Sequence, residues 1–269
     1  MAAAETGNPI WETVKTVVYA ILIALVFRTL FFQPFFIPSG SMKDTLLIGD
    51  FLFVNKMAYG YSQYSCDTRV RRIEIRLCPF VEGRIFGSDP DRGDVIVFRH
   101  PVLAEEYIKR VIGLPGDRIR VENGVVFLNG EPAPQTAAPD FVEVNDRQGA
   151  AGEFPQCNNG PVAIGGDCTK ERFTETLPGD VTHSILNIRD NGAGDFTDEF
   201  IVPEGHVFVM GDNRDNSIDS RFPQRGNGVG MVPMENIIGR ADRVIFSAAG
   251  QRIIYFWTWR ADRFFRAVE

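Results

Sequence analysis

Two serines, Ser39 and Ser41, lie one residue apart in the peptide Pro38-Ser39-Gly40-Ser41-Met42-Lys43-Asp44-Thr45-Leu46-Leu47, directly after an apolar N-terminal segment. Proline fixes φ on one side of the serines and Gly40 removes a side chain between them, so the Ser41 hydroxyl can stand on a tight turn with little bulk around it. That placement suits attack on a carbonyl. The same residue types also build an ordinary helix-to-strand turn, so the peptide means catalysis only if other residues activate the hydroxyl.

A serine hydroxyl is a weak nucleophile until a base removes its proton. His100, His183 and His206 are scattered, and neither His100 nor His206 has an obvious carboxylate nearby to fix its tautomer, so a Ser-His-Asp triad would have to assemble in space. Lys109 is the better candidate. In Tyr107-Ile108-Lys109-Arg110-Val111-Ile112, strand alternation puts Tyr107, Lys109 and Val111 on one face and Ile108, Arg110 and Ile112 on the other, so one of two consecutive cations faces the more buried side. A lysine enclosed by apolar groups loses hydration of its charged form; its pKa falls from about 10.4 by up to several units, and the neutral amine can accept a serine proton. A solvated lysine beside an arginine is the alternative reading of that strand.

The segment Gly211-Asp212-Asn213-Arg214-Asp215-Asn216-Ser217-Ile218-Asp219-Ser220-Arg221 packs nine polar residues into eleven after a run of strand formers. It fails as a calcium loop, because Arg214 falls on the third position from Asp212 and no glutamate closes the series. What remains is a dense hydrogen-bonding loop in which Ser217 can hold a neutral amine in line while Asp219 and Arg221 brace each other.

These groups need elements to carry them. An unbroken apolar run covers residues 17–27 and extends over about 14–32, close to the roughly 20 residues that cross a bilayer. Residues 1–12 carry two acidic groups and no basic one, and no A-x-A-like site precedes Pro34, which favours a retained anchor over a cleaved signal peptide. Lys15 and Arg28 can snorkel to the two interfaces. The reading sets residues 1–13 before the anchor and 14–33 as the span; flanking charge does not decide orientation. Two local cysteine pairs, Cys66 with Cys78 and Cys157 with Cys168, suit short-loop disulfides in an oxidising compartment, and without a C-x-x-C spacing neither a metal nor a cofactor is expected.

The rest of the chain is long enough for one sizeable core, and its net charge of −7 argues against a nucleic-acid surface. Short β-rich runs at 51–54, 94–98, 107–112, 118–121, 125–128 and 206–210, separated by turns such as Asn123-Gly124 and Asn129-Gly130, predict a mainly β, antiparallel fold. No helical period of any length appears between residue 40 and the tail. The core is assigned to 34–130 and 203–250. Residues 61–92 and 131–202, rich in Gly, Pro, Asp and Asn and each holding a cysteine pair, read as loop-rich insertions, the second as an inserted β subdomain. The tail, 251–269, mixes aromatics with Arg260, Arg263 and Arg266, a combination suited to a membrane surface or to packing on the body.

With these elements in place the chain resembles bacterial type I signal peptidases. The match runs in order through Phe35-Phe36-Ile37-Pro38-Ser39-Gly40-Ser41-Met42, Gly49-Asp50-Phe51, Arg92-Gly93-Asp94-Val95-Ile96-Val97-Phe98, Tyr107 to Asp117 and Gly211 to Ser217. The resemblance implies a membrane-bound Ser/Lys endopeptidase that removes signal peptides from exported preproteins, works beside the export channel and needs no cofactor. Ser41 would be the nucleophile and Lys109 the general base. The Ser41 N–H and the Ser39 hydroxyl would form the oxyanion hole, and Ser217, Asp219, Arg221 and Tyr107 would support the base. Phe35, Ile37, Leu52, Val97 and Ile108 would line shallow pockets for small side chains at −1 and −3. A single span would put the N-terminus in the cytoplasm and the catalytic body on the outer side of the bacterial inner membrane. Lys43-Asp44 departs from the family, many members of which have a proline there. Two other readings stay open: a self-cleaving Ser/Lys protease, and a membrane-tethered signal-peptide binder without catalysis.

Overall fold

Pro9 opens a 22-residue helix, Pro9–Leu30, with Glu12 in its first turn and Arg28 in its last. Proline costs nothing where an N–H has no intrahelical partner, and both charges oppose the helix dipole. The computed structural model describes residues 9–66, 68–70, 73–75, 83–149, 151–250 and 253–268. Ile10–Leu30 is long and apolar enough to cross a membrane, with a mean hydropathy of 1.8 and none of its most apolar stretch buried against the protein. The helix stops three residues short of the expected span, because Phe32–Phe36 is already a strand.

That strand is the edge of a seven-stranded antiparallel sheet. The order is Phe32–Phe36, Asp50–Asn55, Ile237–Ser247, Val95–Arg99, Glu106–Gly113, His206–Met210 and Val232–Pro233. Its strands feed two apolar clusters. One gathers Ile37, Leu52, Val54, Val97, Ile108 and Val244 with Met42 and Leu46 from the serine turn; the other centres on Ile96, Phe98, Val111 and Val209. Met42 and Leu46 are completely enclosed, which contributes about 2 kcal/mol each and nails down the turn next to Ser41.

A four-stranded sheet takes strands from both sides of residue 131: Glu131–Pro132, Val125–Leu128, Arg118–Glu122 and Phe200–Ile201. Its hairpin turns as the sequence predicts. Asn123 and Gly124 have φ of 49° and 75°, the left-handed pair that a two-residue antiparallel turn demands.

The segment read as an inserted, loop-rich β subdomain carries two of the three longest strands. Gln135–Val144, Asp167–Leu177 and Val181–Asn187 form a three-stranded antiparallel sheet. Cys157 and Cys168 are joined in a disulfide with Cα atoms 5.1 Å apart. The expected Cys66–Cys78 pair lies outside the described residues, since Cys78 and the Cys66 side chain are not among them.

The tail divides by residue type. Arg263 is buried and donates to both oxygens of Asp50, and Arg260 donates to Ser247 Oγ and the Ile48 carbonyl. A fully buried Asp50 needs that counter-ion. Ile253, Ile254, Phe256, Trp257 and Phe265 stay exposed.

Candidate functional site

Ser41 and Lys109, 68 residues apart in sequence, meet between two elements with different duties. The serine turn leaves the edge strand Phe32–Phe36, and Lys109 sits on Glu106–Gly113. Both side chains are buried. Lys109 Nζ donates to Ser41 Oγ at 2.8 Å and to the Ile108 carbonyl at 2.9 Å. Ser39 Oγ lies 3.5 Å from Ser41 Oγ, and the Ser41 N–H donates to no backbone acceptor among the described residues.

Burial pushes the Lys109 ammonium down to about 8; the Asp219 and Asp212 carboxylates pull it back up and Arg221 adds to the fall. Two buried carboxylates this close would normally restore a lysine's ordinary pKa. Here burial outweighs them, and each carboxylate is itself held by a two-pronged guanidinium. Arg110 Nε and Nη2 donate to Asp212 at 2.9 and 2.8 Å, and Arg221 Nε and Nη2 donate to Asp219 at 2.8 and 2.9 Å. Burial alone would raise both carboxyls, yet the guanidiniums hold them below the usual carboxylate range.

Strand alternation predicts one buried cation of the two; the structure buries both. Arg110 is as enclosed as Lys109 because it has Asp212 and the Gly93 carbonyl to satisfy it. Among the described residues, Lys109 has only neutral partners within hydrogen-bond reach. Tyr107, on the same face as predicted, places its ring centroid 5.5 Å from Lys109 Nζ and packs edge-on against His100.

A cavity of about 490 Å³ opens over the pair, walled by Phe35, Pro38 to Ser41, Glu105 to Lys109, Glu153, Asp215 to Ile218 and Phe222. No histidine lines it. His100 Nδ1 instead accepts from the Val102 and Leu103 N–H groups, and His183 pairs with Glu175 in a separate buried cluster with Arg214. Of the five apolar residues expected to form pockets, Phe35 and Ile108 reach the wall. Ile37, Leu52 and Val97 lie one layer further in, enclosed in the core cluster to which Ile108 also belongs.

Ser217 reaches the cavity but not Lys109. Its buried hydroxyl lies beside the Asp219 carboxylate without completing a hydrogen bond of ordinary geometry. Asn213, whose part the polar loop's sequence does not reveal, ties that loop to the serine turn: its N–H donates to the Ser41 carbonyl at 3.1 Å and its Nδ2 to the Gly40 carbonyl at 2.9 Å. Such long-range bonds leave no periodic trace. The only signal was the density of short polar side chains.

Known proteins resemble this chain over most of its length. A family model described as signal peptidase, peptidase S26, matches residues 10–246. A signal peptidase I of Rickettsia typhi is 36% identical over 251 residues, covering 90% of this chain and 83% of the relative. That of Rickettsia canadensis is 36% identical over 241 residues, 87% of this chain and 78% of the relative. A crystal structure of a signal peptidase I from Enterococcus faecalis is similar at 23% identity and a TM-score of 0.30, over 57% of this chain and 97% of that one. The chain belongs to the signal peptidase family of the S26 peptidases.

Proposed function

We propose that the protein is a membrane-anchored signal peptidase that cleaves exported preproteins with Ser41 as nucleophile and Lys109 as general base. The observation that carries this reading is the 2.8 Å contact between two buried groups, Lys109 Nζ and Ser41 Oγ, with the amine's pKa brought near working pH by burial.

An unpaired strand edge supports peptide binding. His206–Met210 pairs with Glu106–Gly113 only from Arg110 onward, so among the described residues Glu106 to Lys109 keep one side open, facing the cavity. An extended signal peptide adds there as a further strand, and Phe35 and Ile108 favour small side chains at −1 and −3.

In the first step Ser41 Oγ attacks the scissile carbonyl carbon while its proton passes to Lys109 Nζ. The Ser41 N–H and the Ser39 hydroxyl, turned from Ser41 toward the new oxyanion, stabilise it, each donor being worth about 3 kcal/mol. The C–N bond then breaks, and the amine of the mature protein leaves with the proton from Lys109. Water, deprotonated by Lys109, attacks the Ser41 ester; the signal peptide departs as a carboxylate and the proton returns to Ser41 Oγ. Asp219 and Arg221 set the charge around the base, and Ser217 fills the space beside them.

The apolar helix would hold this cleft at the lipid surface, with the N-terminus in the cytoplasm, the body outside it and the exposed aromatic tail toward the headgroups. In this reading the enzyme works beside the export channel that delivers its substrates.

The test is cleavage of a preprotein with an Ala-x-Ala site by wild type, Ser41→Ala and Lys109→Ala in detergent, with circular dichroism establishing that all three fold. Cleavage at the correct site by wild type alone is expected. A folded Ser41→Ala protein that cuts as fast as wild type removes the nucleophile assignment. If none cuts and all bind signal peptide, the protein is a tethered binder.

A further inference from the structure

Lys43 stands two residues after Ser41, and only 3% of its surface is exposed. Its ammonium donates to Glu143 Oε2 at 2.6 Å and to Gln148 Oε1 at 2.7 Å. Gln148 Nε2 donates in turn to Glu143 Oε2 at 2.6 Å, and Lys170 donates to the other Glu143 oxygen. Glu143 belongs to Gln135–Val144 and Lys170 to Asp167–Leu177. The inserted sheet therefore reaches a hundred residues back along the chain to hold one side chain of the serine turn.

The Lys43 stem occupies the space that Gly40 leaves. A Cβ on Gly40 would lie 3.2 Å from Lys43 Cε and 3.4 Å from Cδ, with Asn216 Nδ2 at 3.3 Å. The Gly40 carbonyl also accepts from the Lys43 N–H at 3.2 Å and from Asn213 Nδ2 at 2.9 Å. That carbonyl and the Ser41 N–H belong to one rigid peptide plane, so whatever fixes the oxygen aims the N–H.

We infer that Lys43, clamped by Glu143, is a positioning residue: its stem and backbone hold the Gly40–Ser41 peptide plane so that the Ser41 N–H points at the developing oxyanion. The inference rests on the peptidase reading given above and goes beyond it, since it assigns a task in the reaction to the inserted sheet. Glu143 is the part that makes the arrangement possible. Two buried ammoniums repel each other, and burial pushes Lys43 down with Lys170 adding to the fall. Without the carboxylate between them, the Lys43 head must leave for water and take its stem from under Gly40.

The plain alternative is that Glu143 only fastens the inserted sheet to the body. Full-length wild type, Glu143→Gln and Lys43→Met, purified in detergent, separate the two. The measurements are kcat and KM on the preprotein, and affinity for a peptide aldehyde, whose hemiacetal oxygen occupies the oxyanion position, beside the matching unreactive peptide alcohol. Glu143→Gln is expected to lower kcat per folded molecule about 30-fold, between the effect of losing a donor outright and none, with KM within about twofold. Aldehyde affinity should fall in parallel while alcohol affinity holds. Lys43→Met, which keeps the stem but not the ammonium, should move the same quantities less and carries the decision if Glu143→Gln does not fold. Unchanged kcat and aldehyde affinity in the folded variants, or an equal loss for aldehyde and alcohol, overturns the inference. Wild type that neither cuts nor binds the aldehyde overturns the peptidase reading itself, and is recognised before any variant is compared.

Discussion

Arg221 grips Asp219 through two parallel hydrogen bonds of 2.8 and 2.9 Å, and the two residues act on Lys109 with opposite signs. The pair works as a charge setting for the base. With Lys109 near 8, kcat/KM should rise with pH and level off above about 8. Asp219→Asn removes the carboxylate that raises the Lys109 pKa and leaves the cation that lowers it, so the acid limb should move to lower pH by about one pH unit. Arg221→Gln should move it to higher pH by a similar amount. Profiles of kcat/KM on folded variants check this; two shifts in the same direction would contradict the arrangement.

The depressed Lys109 pKa is also a statement about stability. Its charged form costs about 3 kcal/mol in the folded site relative to water, since one pKa unit is about 1.36 kcal/mol. Between about 8 and the unfolded value near 10.4 the unfolded chain binds more protons, so stability rises with pH across that window and the cost is complete below it. Lys109→Met removes the charge at the loss of its hydrogen bond to Ser41. It should abolish cleavage yet raise unfolding stability by about 2 kcal/mol at pH 7, with no gain left above about pH 10.4. Urea unfolding of both proteins at pH 7 and pH 10.5 reads the difference.

Much of this site was legible before the structure because its carriers are short and regular. Lys109 lies in a short run of strand formers that does form a strand, Glu106–Gly113, and the serine turn announces itself through Pro38 and Gly40. Arg110 was the informative failure: alternation sent it to the face opposite Lys109, and its distant partners Asp212 and the Gly93 carbonyl allow it to be buried there too. Ile237–Ser247, central in the large sheet, drew no strand assignment. Arg240, Asp242 and Arg243 interrupt its apolar run, and irregular pairing between Ala241 and Arg243 and between Val244 and Phe246 breaks the period of two. Gln135–Val144 hid for the same reason, with Pro139 inside a register shift between Ala138 and Phe141. Lys43, Glu143 and Lys170 left no local pattern at all, since a buried ionic cluster is made by the fold.

The Cys157–Cys168 bridge closes a loop with a sequence separation of 11 next to this cluster, Cys168 lying two residues before Lys170 on the same strand. Cross-linking a loop of that size removes unfolded-state freedom worth about 3 kcal/mol. The double change Cys157→Ser, Cys168→Ser should therefore cost about 2 to 3 kcal/mol and shorten hydrogen-exchange protection first in Asp167–Leu177. Equal loss of protection across the whole large sheet would mean that the inserted sheet does not open separately.

At Gly211 the polar loop runs tight against the backbone of the serine turn. A Cβ there would lie 2.3 Å from Ser217 Oγ, 2.5 Å from Ser217 Cβ and 2.6 Å from the Ser41 carbonyl oxygen. Ser217 can give way by moving, but the Ser41 carbonyl cannot: it accepts from the Asn213 N–H, and moving it moves the backbone that carries the nucleophile. Gly211→Ala should lower kcat more than about 100-fold, on the scale of a lost oxyanion donor, and destabilise by about 1 to 3 kcal/mol through overpacking. The added Ser217→Gly change relieves the side-chain clash and leaves the backbone clash in place. Stability should then recover in part while kcat stays low, and recovery of both together would mean that the Ser41 carbonyl was never the constraint.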